Sequence, residues 1–390
     1  MRILMLQNSL PPYWIARLKA ITEQPDVEIT LATNSGGDKG RPDEAFQGLK
    51  LKWVPLSQDP IEDVNFVKLI PKTLALLRST MPDVAYLAGI MHSNFLAAHV
   101  ACKMMGIPII GSSISTDFDA RGPEGIGRQV KEAIKKTVLS MVDIMLVPGQ
   151  RAYQHMQRFG LGEDRLMLAG HASATPEYRE KSLALSEQEL AQRLETLGMP
   201  EPGYFLFVGR FTWVKNIPRL LKAYAKASEE CALPRLVLVG DGPDRADIET
   251  LVMDLNLSER VLLAGYKNAE ELLYAFAGAR ALVLPSVSET WGMVVNEAMA
   301  CGVPALVSER AGCAPDLIDE GQTGWLVDPE SEESIARALV AAAADKTSKL
   351  EMRERLWEKV RHHSPTRFAE TFVRAARTAA FRHGRLEGEP

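Results

Sequence analysis

Residues 204–216 read Tyr204-Phe205-Leu206-Phe207-Val208-Gly209-Arg210-Phe211-Thr212-Trp213-Val214-Lys215-Asn216. Five apolar residues ending at a glycine describe a strand buried on both faces, as in a parallel sheet. Asn216 is a good N-cap, and Pro218 in the turn that follows fits a helix start. A strand, a loop and a helix make the unit from which doubly wound sheets are built, and open α/β sheets bind ligands at the edge where such loops emerge. Arg210 and Lys215 leave that edge five residues apart. Beside free backbone N–H groups and the positive end of a helix they suit a diphosphate. Read alone, they are equally a pair of solvated charges.

The same alternation extends in both directions. Apolar runs at Arg235–Val239, Val261–Ala264, Ala281–Leu284 and Ala305–Val307 follow the opening stretch, with segments of helical length between them. Upstream, strands are expected at Ile3–Gln7, Val27–Ala32, Leu51–Val54, Val84–Leu87, Ile107–Gly111 and Ile144–Val147, with helices over Asn94–Met105 and Arg128–Val142. Between the series lies Ser182–Gly203, a polar helix followed by the cluster Gly198-Met199-Pro200-Glu201-Pro202-Gly203, the best linker in the chain. This divides the 390 residues into a first α/β domain over 1–180, a linker over 181–203 and a second domain over 204–364. A tail over 365–390 carries a helix at Pro365–Arg382 that could pack back on the first domain.

Composition narrows the function. A hydrophobic fraction of 46% with 24% charged residues belongs to a soluble globular protein. Cys102, Cys231, Cys301 and Cys313 form no C-x-x-C pair, so neither a zinc framework nor a disulfide ladder is expected, and a reducing cytosol is the simplest setting. The start turns polar at Gln7, too soon for a signal peptide, and no apolar run is long enough to span a bilayer. The net charge is −5, and no Lys/Arg-rich tract offers a nucleic-acid surface.

A second loop carries acids. Pro285-Ser286-Val287-Ser288-Glu289-Thr290-Trp291-Gly292 precedes a helix over Met293–Cys301. Gly292 leaves room for an anion at the amides of Trp291–Met293. Glu297 stands one turn inside that helix among Val294, Val295, Ala298 and Met299. A helix dipole explains acids in a first turn, but an acid on an apolar helix needs partners, which the hydroxyls of a sugar or ribose would supply.

With these residues in hand, the chain resembles the retaining glycosyltransferases of family four, which have the GT-B fold: two Rossmann-like doubly wound domains facing each other across a cleft. The resemblance rests on Gly209-Arg210 with Lys215-Asn216, Val239-Gly240-Asp241-Gly242-Pro243, Pro285-Ser286, Glu289-x7-Glu297, Glu297-Ala298-Met299-Ala300-Cys301-Gly302-Val303-Pro304, and Gly321-Gln322-Thr323-Gly324-Trp325-Leu326-Val327. It implies that Arg210 and Lys215, beside Gly209, hold a donor diphosphate, that Glu297 binds ribose hydroxyls, and that Glu289 touches the transferred sugar. The amides of Thr290, Trp291, Gly292 and Met293 would contact sugar and phosphate, and Tyr266 and Lys267 would frame the base. Glu289, Arg210 and Lys215 would then carry the chemistry. The first half matches less closely: the Pro11-Pro12-Tyr13 loop replaces the usual Gly-Gly loop, and the stretch after the fifth strand, which includes Ser113, lacks a histidine common in relatives. Pro12, Tyr13, Ser113 and His92 are the candidates there for sugar or acceptor contact.

The reading implied is transfer of a hexosyl-type sugar from a nucleoside-diphosphate sugar to a hydroxyl acceptor, with retained anomeric configuration. Donor would bind mainly to the second domain and acceptor to the first, with closure excluding water. No protein nucleophile is evident, and the leaving phosphate is placed to take the acceptor proton. No metal and no further cofactor is expected. Gly240-Asp241-Gly242 lacks the third glycine of a dinucleotide fingerprint, and Asp117-Phe118-Asp119 reads as a turn rather than a metal site. Arg128, Lys131, Lys135 and Lys136 form a stripe that reads as a solvated face. Its alternative is contact with anionic lipid or a phosphorylated acceptor, which would place the protein peripherally at the inner face of a membrane. Other GT-B activities (an epimerase or a phosphorylase) and a non-catalytic sugar-nucleotide sensor are the alternatives.

Overall fold

The structure is a computed structural model. It describes all residues except 9, 12, 36–45, 47, 90, 91, 119–125 and 387–390, and the side chains of 126–128. The chain forms two compact units. Met1–Ser115, Arg121–Ala172 and Pro365–Pro390 make the first, and Thr116–Ala120 with Ser173–Ser364 make the second.

The first unit holds β1 (Arg2–Gln7), β2 (Glu28–Thr33), β3 (Leu51–Pro55), β4 (Val84–Leu87), β5 (Ile109–Ser112), β6 (Ile144–Val147) and β7 (Leu166–Leu168), all parallel in the order β3-β2-β1-β4-β5-β6-β7. Alternation along β1 sends Ile3 and Met5 to one face, with Trp14, Phe368 and Phe372 of the helices Tyr13–Thr22 and Pro365–Arg382. Leu4 and Leu6 face the other side, with Leu77 and Phe95 of the helices Ile70–Thr80 and Ser93–Met104. A sheet covered on both faces permits the near-continuous apolar strands seen in the sequence.

The second unit repeats the plan. Its strands are β8 (Tyr204–Val208), β9 (Leu236–Val239), β10 (Val261–Gly265), β11 (Ala279–Leu284), β12 (Ala305–Ser308) and β13 (Gly324–Val327), in the order β10-β9-β8-β11-β12-β13. Along β8, Phe205 and Phe207 pack towards the helices Ile217–Glu230 and Glu332–Ala344, while Tyr204, Leu206 and Val208 face Ala269–Gly278 and Met293–Ala300. The buried Tyr204 hydroxyl donates to the Ala275 carbonyl at 2.8 Å, so this polar atom enters the core satisfied.

Two expectations need correction. Apart from the short segment Thr116–Ala120, which groups with the second unit, the chain crosses between units at Ala172–Ser173 and at Ser364–Pro365, not over 181–203. Leu194 and Met199 from that stretch are buried in the core of the second unit beside Tyr204, and the Gly203 N–H donates to the Gly278 carbonyl. The Pro/Gly cluster is therefore the turn into β8; linker composition and tight-turn composition are the same, and only the packing of the preceding helix separates them. The strands β7 and β13 were also not expected; both lie at an edge of their sheet, and β7 is only three residues long.

Glycine matters most after β9. Gly240 has φ +140°, and a Cβ built there would lie 1.9 Å from the Gly209 carbonyl oxygen. Gly240→Ala should therefore displace the loop after β8 and destabilise the second unit by about 2–4 kcal/mol, combining backbone strain with the clash. Urea unfolding followed by circular dichroism measures this; an unchanged midpoint would mean that the two loops do not need this close approach.

Candidate functional site

In the second unit the sheet order reverses between β8 and β11. The loops leaving these neighbouring strands diverge to helices and frame a crevice at the carboxyl edge. Three contacts pin them together. The Val287 N–H donates to the Val214 carbonyl at 2.9 Å. The Asn216 amide donates to the carbonyls of Pro285 and Pro329 at 3.0 and 2.7 Å. Lys215 Nζ donates to Glu289 Oε2 at 2.5 Å.

Asn216 stands at the start of Ile217–Glu230 without acting as expected. Its backbone is left-handed (φ 61°, ψ 30°), and its side chain makes no capping bond. Asparagine tolerates this conformation better than most residues, which turns its amide away from the helix and across to the other loop. The tie between loops is a role the sequence did not reveal; an asparagine where the backbone needs positive φ was the available signal.

Both loops are braced from behind. The Phe211 N–H donates to the Asp241 carbonyl and the Asp244 N–H to the Phe211 carbonyl, so the turn containing Gly240 and Gly242 forms the seat for Arg210. On the other side the Gly312 N–H donates to the Glu289 carbonyl and the Cys313 N–H to the Trp291 carbonyl. A Cβ at Gly312 would meet the Thr290 carbonyl oxygen at 1.9 Å. Sequence reasoning passed over Gly312, because its partner lies more than twenty residues away and no local motif marks it.

The charges differ in state. Arg210 is exposed, and among the described residues no side chain pairs with it. Lys215 and Glu289 are paired to each other, their side chains only 21% and 14% exposed. Glu297 lies on the helix Met293–Ala300, which Gly292 opens at φ 103°. The residue is half-buried, and loss of hydration at its carboxyl group raises its pKa to about 7. Among the described residues its carboxyl group has no hydrogen-bonded partner, so its acceptor capacity is open. Trp291 contributes backbone only: its indole is buried, donates to Asn296 Oδ1 at 3.0 Å and packs on His363. Thr290 and Met293 are half-buried, Lys267 likewise, and Tyr266 is exposed after β10, two strands from β8.

The candidates of the first unit are engaged in its own packing. Tyr13 lies edge-on to His171, with the buried Arg17 guanidinium 4.6 Å from its ring centre. Burial lowers the Arg17 pKa to about 10, and its guanidinium donates to the Ala172 carbonyl. The His92 ring stacks on Phe66 at 3.9 Å, and burial lowers its pKa. Ser113 follows β5, its N–H donating to the Leu146 carbonyl. Pro12 and Asp119 lie outside the described residues, while Asp117 and Phe118 occupy a turn. Of the basic stripe, Lys131 and Lys136 are exposed, and Lys135 meets His155 at 2.9 Å and the Phe159 ring; the Arg128 side chain is outside the described residues.

Residues 192–363, which contain this whole crevice, match the family model described as glycosyl transferases group 1. This part of the chain has the sequence of a group 1 glycosyltransferase domain. The chain is also similar along much of its length to several glycosyltransferases and related enzymes. It is 28% identical over 309 residues to N-acetyl-alpha-D-glucosaminyl L-malate synthase of Bacillus anthracis, covering 74% of each chain. It is 28% identical over 361 residues to the sulfoquinovosyl transferase of Arabidopsis thaliana, covering 85% of this chain and 63% of that one. HepE of Anabaena, solved in complex with UDP and glucose, shares the fold with a TM-score of 0.75 at 14% identity, over 97% of this chain and 100% of that one. The two parallel-sheet units are those of the GT-B glycosyltransferases. Among the described residues no helix is long and apolar enough to cross a membrane.

The raised pKa of Glu297 in this glycosyltransferase gives a pH test. The folded protein holds the proton more tightly than the unfolded chain, so stability falls as pH rises from the usual 4.5 towards about 7, and the deficit persists above. Glu297→Gln mimics the protonated form and should escape that loss. Its melting temperature relative to the parent should climb between pH 5 and pH 7 and then level off; a difference constant with pH would show that the Glu297 carboxyl group has not lost hydration in this way.

Proposed function

We propose that this glycosyltransferase takes a nucleoside-diphosphate sugar in the crevice of its second unit and passes the sugar to a hydroxyl acceptor with retained configuration. One observation carries the reading: the loops after β8 and β11 gather a free cation, Arg210, a paired Lys215–Glu289 and an unpartnered carboxylate, Glu297, around one helix N-terminus. These are complementary to the parts of such a donor. The diphosphate meets Arg210, Lys215 and the amides opening Met293–Ala300, a set that supplies positive charge and hydrogen bonds without a metal. The ribose diol meets Glu297, whose carboxylate gains the donors it lacks. The names of the relatives, two of them transferring or joining sugar units, and the UDP and glucose bound by HepE, support the same reading.

In the reaction the bond between the anomeric carbon and the diphosphate oxygen breaks, and the acceptor oxygen bonds to that carbon on the same face. The acceptor proton passes to the departing diphosphate. Arg210 and Lys215 stabilise the negative charge that grows on the leaving group. As the diphosphate offers Lys215 a second anionic partner, Glu289 is placed against the sugar, which becomes cationic in the transition state. A carboxylate there interacts more strongly with the transition state than with the ground state, the condition for lowering the barrier.

Two outcomes are expected. By calorimetry in EDTA the parent should bind nucleoside diphosphates, and Arg210→Ala should weaken that binding by about 10- to 150-fold, the equivalent of one charge-assisted hydrogen bond at roughly 1.5–3 kcal/mol. Affinity that needs a divalent ion, or that ignores Arg210, would refute the placement. In steady-state kinetics Glu289→Gln should lower kcat by about 10- to 1000-fold, from a loss of roughly 1.4–4 kcal/mol in the transition state. A change confined to the donor KM would instead place Glu289 in ground-state binding.

A further inference from the structure

A concavity of about 670 Å³ opens among the loops after β8 and β11, its wall including Asp117, Phe118, Trp213, Arg219, Arg310 and Glu330. We propose that it is a saccharide subsite with Trp213 as its stacking platform, so that the acceptor of the transfer is a carbohydrate; this rests on the donor reading above and extends it.

Of the six tryptophans, Trp213 is the exposed one, at 65%, on a short turn that leaves an indole bare to solvent. An aromatic face in that setting has a use when the C–H face of a sugar ring covers it. The surrounding polar groups are held in fixed positions. Arg219 Nη1 donates to Asn216 Oδ1 at 3.2 Å and to the Pro329 carbonyl at 2.7 Å, the carbonyl that also takes the Asn216 amide. Arg310 Nη1 pairs with Glu330 Oε1 at 2.9 Å. Each guanidinium has five N–H groups, so donors remain after these bonds, and the carboxylate keeps acceptor capacity. The wall thus presents the donors of Arg219 and Arg310 and the carboxylates of Asp117 and Glu330 around the aromatic Trp213 and Phe118, so its two positive charges are matched by two negative ones. That mixture matches a ring bearing many hydroxyls better than an anion, which needs only donors and net positive charge.

The position fits the acceptor. Trp213 and Lys215 begin and end the same turn, and Val287, two residues before Glu289, donates to the Val214 carbonyl within it. A saccharide on Trp213 would sit beside the turn that ends at Lys215, with Lys215 and Glu289 themselves outside the lining of the concavity. Neither Arg210 nor Glu297 lines the concavity, so the nucleotide is held by other residues.

The full chain, saturated with UDP, is applied to an array of immobilised neutral and acidic oligosaccharides, alongside Trp213→Ala and Trp213→Phe. The parent should bind a subset of the saccharides. Trp213→Ala should lose about tenfold or more in apparent affinity, the loss of roughly 1.4 kcal/mol expected when an aromatic platform is removed, and Trp213→Phe should stay within about threefold of the parent. UDP affinity by calorimetry should be the same in all three proteins. The proposal is overturned if the UDP-loaded parent binds no saccharide, if Trp213→Ala binds as the parent does, or if Trp213→Ala loses UDP affinity, which would make the residue part of the donor site. Failure of the parent to bind any nucleoside diphosphate would instead refute the donor reading.

Discussion

The Lys215–Glu289 ion pair is the contact on which the site depends. Its two side chains come from loops seventy-four residues apart, meet at 2.5 Å and are mostly withdrawn from water. Taking two charges out of water is costly, and the attraction between them offsets that cost only while both are present. Each loop is therefore held by the other's charge, and removing one partner leaves the second uncompensated. The arrangement also prepares for the proposed donor. A diphosphate arriving beside Lys215 finds a cation already ordered, so less conformational freedom is lost on binding than a solvated lysine would give up.

Holding loops at such separation in the chain requires that the backbone behind them come very close, and this explains the glycines. The turn after β9 supports the loop that carries Arg210, with Gly240 against the Gly209 carbonyl. The segment after β12 supports the loop that carries Glu289, with Gly312 against the Thr290 carbonyl. What looks like part of a dinucleotide fingerprint at Gly240-Asp241-Gly242 is a seat for a neighbouring loop. The same residue type serves both purposes because both need a backbone without Cβ, and the sequence alone does not separate them.

The two glutamates show how environment divides one residue type into two roles. Glu289 is neutralised by Lys215, while Glu297, on an apolar helix and without such a partner, is pushed towards neutrality by lost hydration. A ligand that brings a cation competes for the first, and one that brings hydroxyls satisfies the second. The polar character of Glu297 on that helix was legible from its neighbours Val295, Ala298 and Met299. The Lys215–Glu289 pairing was not, because sequence separation carries no information about which strand edges meet.

The sequence by itself determined the α/β class, the positions of most strands and the identity of the crevice residues. Strands buried on both faces must be runs of apolar residues, and loops that serve helix N-termini must carry caps, glycines and charges in a fixed local order. Only the tertiary structure decided where the chain passes between units, since a polar helix with a Pro/Gly turn reads as a linker until Leu194 and Met199 are seen in the core. It decided too that Asn216 bridges loops instead of capping, that the Trp291 indole is buried while that of Trp213 is exposed, and that Gly312 is needed at all. These outcomes depend on contacts between segments far apart in the chain. Local propensity is set within a few residues, whereas such contacts are fixed only when strand order places one loop beside another.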